Sequence, residues 1–149
     1  MHVGFTGTRK GMTLEQKSSL FAVLNELAGM CDGQLVVHHG DCVGADSDFH
    51  NLVSFRIVVH PPRNYKARAW CEGDEMRNEK DYIARNHDIV DESACLIATP
   101  DGNERLRSGT WATVRYAKAT NKYIWIIYPD GTFDHFYGSK MLKTTRIGR

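Results

Sequence analysis

Three glycine-bearing stretches hold most of the residue types that could do chemistry in this chain. Thr6-Gly7-Thr8-Arg9 joins hydroxyls, a glycine and a guanidinium. Glycine lets the backbone approach a ligand closely, and the forked arginine cation suits phosphate or carboxylate. His39-Gly40-Asp41-Cys42-Val43-Gly44-Ala45-Asp46 places two glycines and two aspartates ahead of a short helical pattern. Free N–H groups and the partial positive charge at such a helix start suit an anion. Arg107-Ser108-Gly109-Thr110 has the same character, with Ser108 as N-cap. The shared chemistry is phosphate binding. None of these stretches matches the P-loop pattern or the full dinucleotide fingerprint, which disfavours a standard P-loop NTPase or dehydrogenase.

Other polar residues stand out by position. Asp46 reads either as a helix-dipole partner or as a holder of a ribose hydroxyl. On the helix expected from Arg77 to Val90, the residues Tyr82, Ile83, Ile89 and Val90 centre on Asn86. An amide there must find partners: it either ties the helix to a loop or lines a ligand crevice together with Arg85. Trp111, Arg115 and Lys118 share one helix face. That face reads as a solvated stripe, an oligomer contact or a base-stacking wall.

The elements that must position these residues alternate along the chain. Apolar runs at residues 2–6, 34–38, 55–60, 94–98 and 123–128 read as strands. Between them lie helical patterns, the first opened by a capping box at Thr13-Leu14-Glu15-Gln16 and stopped near Gly29. Strands this apolar are buried on both faces, the mark of a parallel sheet covered by helices. The fold class expected is α/β: a Rossmann-like three-layer domain with a mainly parallel five-stranded sheet in the order 3-2-1-4-5. In that order ligands sit beyond the carboxyl ends of the strands, between the first and fourth. Residues 63–76 carry no period. One domain over residues 1–149 is expected, ending in a basic tail from 139 to 149.

Composition bounds the function. The chain has 149 residues and a formal net charge of +1. A duplex-binding protein usually carries a larger basic excess, so the balance argues for a small ligand and against nucleic acid. No apolar run approaches the roughly 20 residues needed to cross a bilayer, and the start lacks a signal-peptide layout. A cytoplasmic protein is expected. Cys31, Cys42, Cys71 and Cys95 are widely spaced and read as free thiols. Cys42 and Cys71 with His38 and His39 are one candidate metal grouping; the expectation is no metal and no cofactor.

FTGTR, HHGDCVGAD, ARNHDIVDESACLIATP and RSGTWATVRYA, in this order, resemble the SLOG superfamily of Rossmann-like proteins, which groups the DprA/Smf and LOG proteins. The likeness spans residues 3–128 and is greatest to small, stand-alone, YspA-like nucleotide-binding members. It implies ligand contacts from Gly7, Thr8, Arg9, Gly40, Gly44, Ala45, Asp46, Arg85, Asn86, Ser108, Gly109 and Thr110. Asp41 joins them from the loop reading. It also implies self-association into a homo-oligomer. LOG enzymes cleave the N-glycosidic bond of nucleoside monophosphates with a glutamate in the pattern P-G-G-x-G-T-x-x-E. Here Thr113 holds that place, and threonine cannot act as a carboxylate. No catalytic residue is assigned.

The leading expectation is therefore binding of a nucleotide or nucleotide-derived signal (AMP, ADP-ribose or a cyclic derivative) for sensing, sequestration or processing. One alternative is a LOG-type N-glycosidic hydrolase that uses Asp41 or Asp46 as its carboxylate. The other is DprA-like binding of single-stranded nucleic acid, with Arg115, Lys118 and the segment from Lys140 to Arg149 as a basic track.

Overall fold

The computed structural model describes residues 1–145; the last part of the segment expected as a basic tail, 146–149, lies outside the described residues. The expected strands form as β1 (His2–Gly7), β2 (Val36–His39), β3 (Arg56–Val59), β5 (Cys95–Thr99) and β6 (Tyr123–Ile127). The sheet also holds β4 (Glu75–Met76), β7 (Phe133–Tyr137) and β8 (Lys140–Thr144). Its order is β4-β3-β2-β1-β5-β6-β7-β8. The central five strands lie parallel in the expected 3-2-1-4-5 arrangement.

The five-stranded expectation is corrected to eight strands. β4 is parallel to β3, whereas β7 and β8 are antiparallel, so the sheet is mixed at its C-terminal edge. The reason lies in their composition. β4 has two residues and no apolar run. β7 buries alternate residues, Asp134 and Phe136, and β8 is almost wholly exposed. Lys140 and Lys143 on that outer strand are charges that discourage further edge pairing.

Helices α1 (Leu14–Met30), α2 (Ala45–Leu52), α3 (Tyr82–Asp91) and α4 (Gly109–Ala119) complete three layers. Alternate strand residues divide between the two faces. Val3, Phe5, Val37, Ile57, Ile97 and Ile127 pack under α1 and α2 with Leu20, Leu24 and Phe49. Leu96, Ala98, Ile124 and Ile126 face Val90 of α3 and Trp111, Val114 and Ala117 of α4.

The capping box opens α1 as expected: the Gln16 N–H donates to Thr13 Oγ1, and the Thr13 N–H donates to Gln16 Oε1, both at 3.0 Å. The buried Gln16 amide also donates to the carbonyls of Pro100 and Ile127, at 2.8 and 3.0 Å. The helix passes Gly29 and closes on Gly33, whose φ is +77° and whose N–H donates to Ala28 O at 2.7 Å. The start expected near Arg77 for α3 moves to Tyr82. Residues before it are held extended, because Arg77 N–H donates to Val59 O at 2.9 Å and Pro62 bridges Lys80.

Candidate functional site

A crevice of about 480 Å³ lies beyond the carboxyl ends of β1, β2 and β5, where strand order reverses. Of the residues expected to bind ligand, Gly7, Thr8, Arg9, Gly40, Asp46, Arg85, Asn86, Ser108, Gly109 and Thr110 line it. Asp41, Gly44 and Ala45 do not.

The loop after β1 is held by backbone bonds. Thr8 N–H donates to Thr99 O at 3.1 Å, and Thr8 O accepts from Ala45 N–H at 2.9 Å. Thr8 Oγ1 accepts from Lys10 N–H at 3.2 Å. Gly7 sits where a Cβ would collide with Thr99 and Ala45. Arg9 is left exposed, with its guanidinium 5.1 Å from the Tyr82 ring centroid and in no ion pair among the described residues.

The loop after β2 is a packing device. Arg85 is 5% exposed and donates to the carbonyls of Gly40 and His60, to Cys42 Sγ, and to Asn86 Oδ1 at 2.8 Å. A Cβ at Gly40 would run into that guanidinium. Gly44, at φ +97°, lies so close to the Arg9 backbone that no side chain fits. Asp41 turns away from the crevice: it is fully buried at φ +56°, accepting from Arg68 Nε and from Cys71 N–H at 2.7 Å each. It holds a neighbouring loop and is not available as a substitute catalytic carboxylate.

Asp46 does reach the crevice. Its Oδ2 accepts from Cys42 N–H at 3.1 Å, whereas its buried Oδ1 has no hydrogen-bond partner among the described residues. Burial pushes its carboxyl up to about 6, against the pull of the Arg85 cation and the Cys42 N–H. Burial and Asp46 together push the Cys42 thiol upward, so it is no ready nucleophile. The Tyr82 hydroxyl is another buried polar atom at this crevice without a partner among the described residues.

The third wall is the start of α4. Ser108 Oγ caps it by accepting from Trp111 N–H at 3.2 Å. Nothing lies within 4 Å of a Cβ built on Gly109, so this end is open. The first N–H groups of a helix have no intrahelical acceptor and suit an anion. Arg107 is exposed on the same wall. Thr113, at the position of the LOG glutamate, is buried and donates to Gly109 O at 2.8 Å. Lys10 and Arg105 both pair with Asp101 at the mouth, at 3.3 and 2.7 Å.

Two expectations about helix faces are corrected. α3 buries Arg85, Ile89 and Val90 and leaves Ile83 74% exposed. Its inner face is therefore turned towards Arg85 and Ile89 and away from Ile83, rather than centred on Asn86. Trp111 is 2% exposed and part of the core, so it is neither a solvated stripe nor a stacking wall. Arg115 instead pairs with Glu104 at 3.0 Å, and Lys118 lies over the Phe136 ring.

The structure does not gather Cys42, Cys71, His38 and His39 at one point. Donor atoms of His39, His50 and Cys71, and of His38, His60 and Glu92, fall within 4.8 Å of one another. Both ring nitrogens of His39 are already engaged: Nδ1 accepts from Asp41 N–H at 3.0 Å and Nε2 meets His50 Nδ1 at 2.9 Å. His38 bonds in the same manner to His2 and His60, at 2.8 Å each. These rings are tied into hydrogen-bonded chains, which a metal would have to break.

Residues left unread in the sequence lie at the crevice or on the loop clamped to Asp41 and Cys42. Tyr82 is one, read only as part of an apolar stripe. Tyr65, Arg68 and Trp70 are others, in a stretch without periodicity. Among the described residues no helix is long and apolar enough to cross a membrane.

The sheet and crevice define a Rossmann-like α/β protein whose site occupies the topological switch point. No family model and no curated protein matches the chain. A solved structure of DNA processing protein A from Helicobacter pylori, described for its single-stranded DNA binding mode, is similar in fold. The TM-score is 0.59 at 19% identity, over 85% of this chain and 64% of that one. This chain thus spans less than two thirds of that protein's length. Contrary to expectation, net charge does not count against nucleic acid as a partner: a protein similar in fold is described for its single-stranded DNA binding mode. The crevice lining includes Arg9, Lys10, Arg105 and Arg107, with Lys10 and Arg105 paired to Asp101.

Proposed function

We propose that the crevice binds a nucleotide unit of single-stranded nucleic acid. The observation that carries this is the open N-terminus of α4 at Gly109, in a crevice that Arg9 and Arg107 also line, neither in an ion pair among the described residues, on a fold shared with a DNA processing protein. A phosphate would sit at Gly109-Thr110, with Arg9 and Arg107 as counter-charges. Arg85 shapes the floor by holding Gly40 and Asn86, and Thr8, Ser108 and Gly7 keep the walls in register.

A free nucleotide or nucleotide-derived signal, bound as by a stand-alone SLOG protein, is the second reading. Asp46 favours it. Its unpartnered Oδ1 suits a ribose hydroxyl, and deoxyribose has no 2′-hydroxyl to offer. A hydrolytic version would use Asp46, since Asp41 and Thr113 are committed elsewhere.

Calorimetric titration separates these. The first reading expects single-stranded oligothymidylate to bind and AMP and ADP-ribose to bind more weakly. The reverse order favours the second. If none of them binds, both readings are overturned. Release of free base from a nucleotide panel, lost on Asp46→Asn, would establish hydrolysis.

A further inference from the structure

We infer that Trp70 is a base-stacking platform for the nucleotide next to the one held in the crevice; this rests on the single-stranded reading above. Trp70 is 58% exposed, far more than a tryptophan needs for packing. Its backbone adopts φ +60°, a left-handed conformation that a bulky side chain avoids unless its surroundings impose it. The Arg68 guanidinium lies 4.1 Å from its ring centroid, and Tyr65, itself 57% exposed, lies 5.4 Å away.

The platform is fixed to the crevice wall. Arg68 is held by Asp41 at 2.7 Å and Glu79 at 3.2 Å. Ala69 N–H donates to Asp41 O at 2.7 Å, Cys71 N–H to Asp41 Oδ1 at 2.7 Å, and Val43 N–H to Ala67 O at 3.0 Å. These bonds clamp residues 67–71 onto the loop whose Cys42 lines the crevice. Asp41 therefore serves this surface. Val43, 45% exposed, lies on the same loop as the crevice-lining Cys42.

The chemistry fits a nucleobase. A planar π-face backed by a guanidinium accepts any base by stacking, and a rigid platform loses little entropy on binding. Arg68 is neutralised by its two carboxylates, so it stiffens the indole rather than attracting phosphate. Lys66, exposed in the adjoining turn and in no ion pair among the described residues, is placed to follow the backbone.

The test uses the exposed indole as its own reporter, because Trp111 and Trp125 are buried at 2% and 9% exposure. Oligothymidylate of about 12 nucleotides should quench Trp70 fluorescence, and an abasic strand of the same length should not. Trp70→Ala should weaken oligothymidylate binding about tenfold or more, with Trp70→Phe restoring most of it. Gly109→Asp, which meets open space, should weaken binding of both strands through repulsion of phosphate. Normal affinity in Trp70→Ala while Gly109→Asp loses it would overturn the platform and leave the crevice reading intact. Equal loss for the abasic strand would overturn stacking in favour of a backbone or protein contact. No binding of any strand by the native protein would overturn both.

Discussion

The Arg85 guanidinium reaches the carbonyl of Gly40 through space that only a glycine leaves open. This pair joins α3 to the end of β2 and forms the crevice floor. Gly40→Ala places a methyl against the guanidinium and should destabilise the fold by about 1–3 kcal/mol. Gly109→Ala, at an open position, serves as the control and should cost far less. Urea unfolding of the two variants is the measurement, and equal stabilities would contradict the assignment.

Asp46 makes stability pH-dependent in an uncommon direction. Burial raises its carboxyl from 3.8 to about 6, so the folded state holds its proton more tightly than the unfolded chain. Stability from this group is present below about pH 4 and is lost as pH rises through about 6. Asp46→Asn should be the more stable protein at neutral pH, by on the order of 2 kcal/mol. Unfolding midpoints for both proteins across this range would show the gap opening with pH.

The buried histidines act with the opposite sign. Burial, followed by neighbouring imidazoles, depresses His38 and His39 from 6.5 to about 3. Burial likewise brings His60 to about 4. The unfolded chain protonates below 6.5 while these rings stay neutral, so their contribution is complete above that pH and falls away towards 3–4. Each ring adds a slope of up to about 1.4 kcal/mol per pH unit. Acid unfolding should therefore begin below about pH 6.5, and Asp46→Asn should steepen it.

Salt dependence probes the crevice cations. If Arg9 and Arg107 each meet one phosphate, Arg9→Ala and Arg107→Ala should each reduce the slope of log affinity against log salt by about 0.7. Fluorescence anisotropy with single-stranded DNA over a range of salt provides the slopes. Unchanged slopes would place the phosphates elsewhere.

Much of this site was legible because local rules carried it. The central strands are apolar on both faces, and Thr13, Gln16 and Ser108 meet cap requirements within a few residues. Long-range commitments were not legible. Asp41 has the neighbours of a ligand-binding residue, yet its partners lie 27 and 30 residues away. Arg85 resembles a free counter-charge until its partners at Gly40, Cys42 and His60 are seen. β7 and β8 hide in a polar stretch because an edge hairpin buries only one row of side chains. Trp70 left no trace, since an exposed aromatic in an irregular loop belongs to no periodic pattern.

The Gln16 side chain has a mechanical consequence. By holding the carbonyls of Pro100 and Ile127, it rivets the exits of β5 and β6 to the first turn of α1. Residues 101–107 are thereby suspended between that rivet and the Ser108 cap. This span works as a short strap with both ends nailed down. Arg115 fastens its middle through the carbonyls of Arg105 and Leu106 and through Glu104, so the side chains of Asp101, Arg105 and Arg107 are presented to the crevice from a braced backbone.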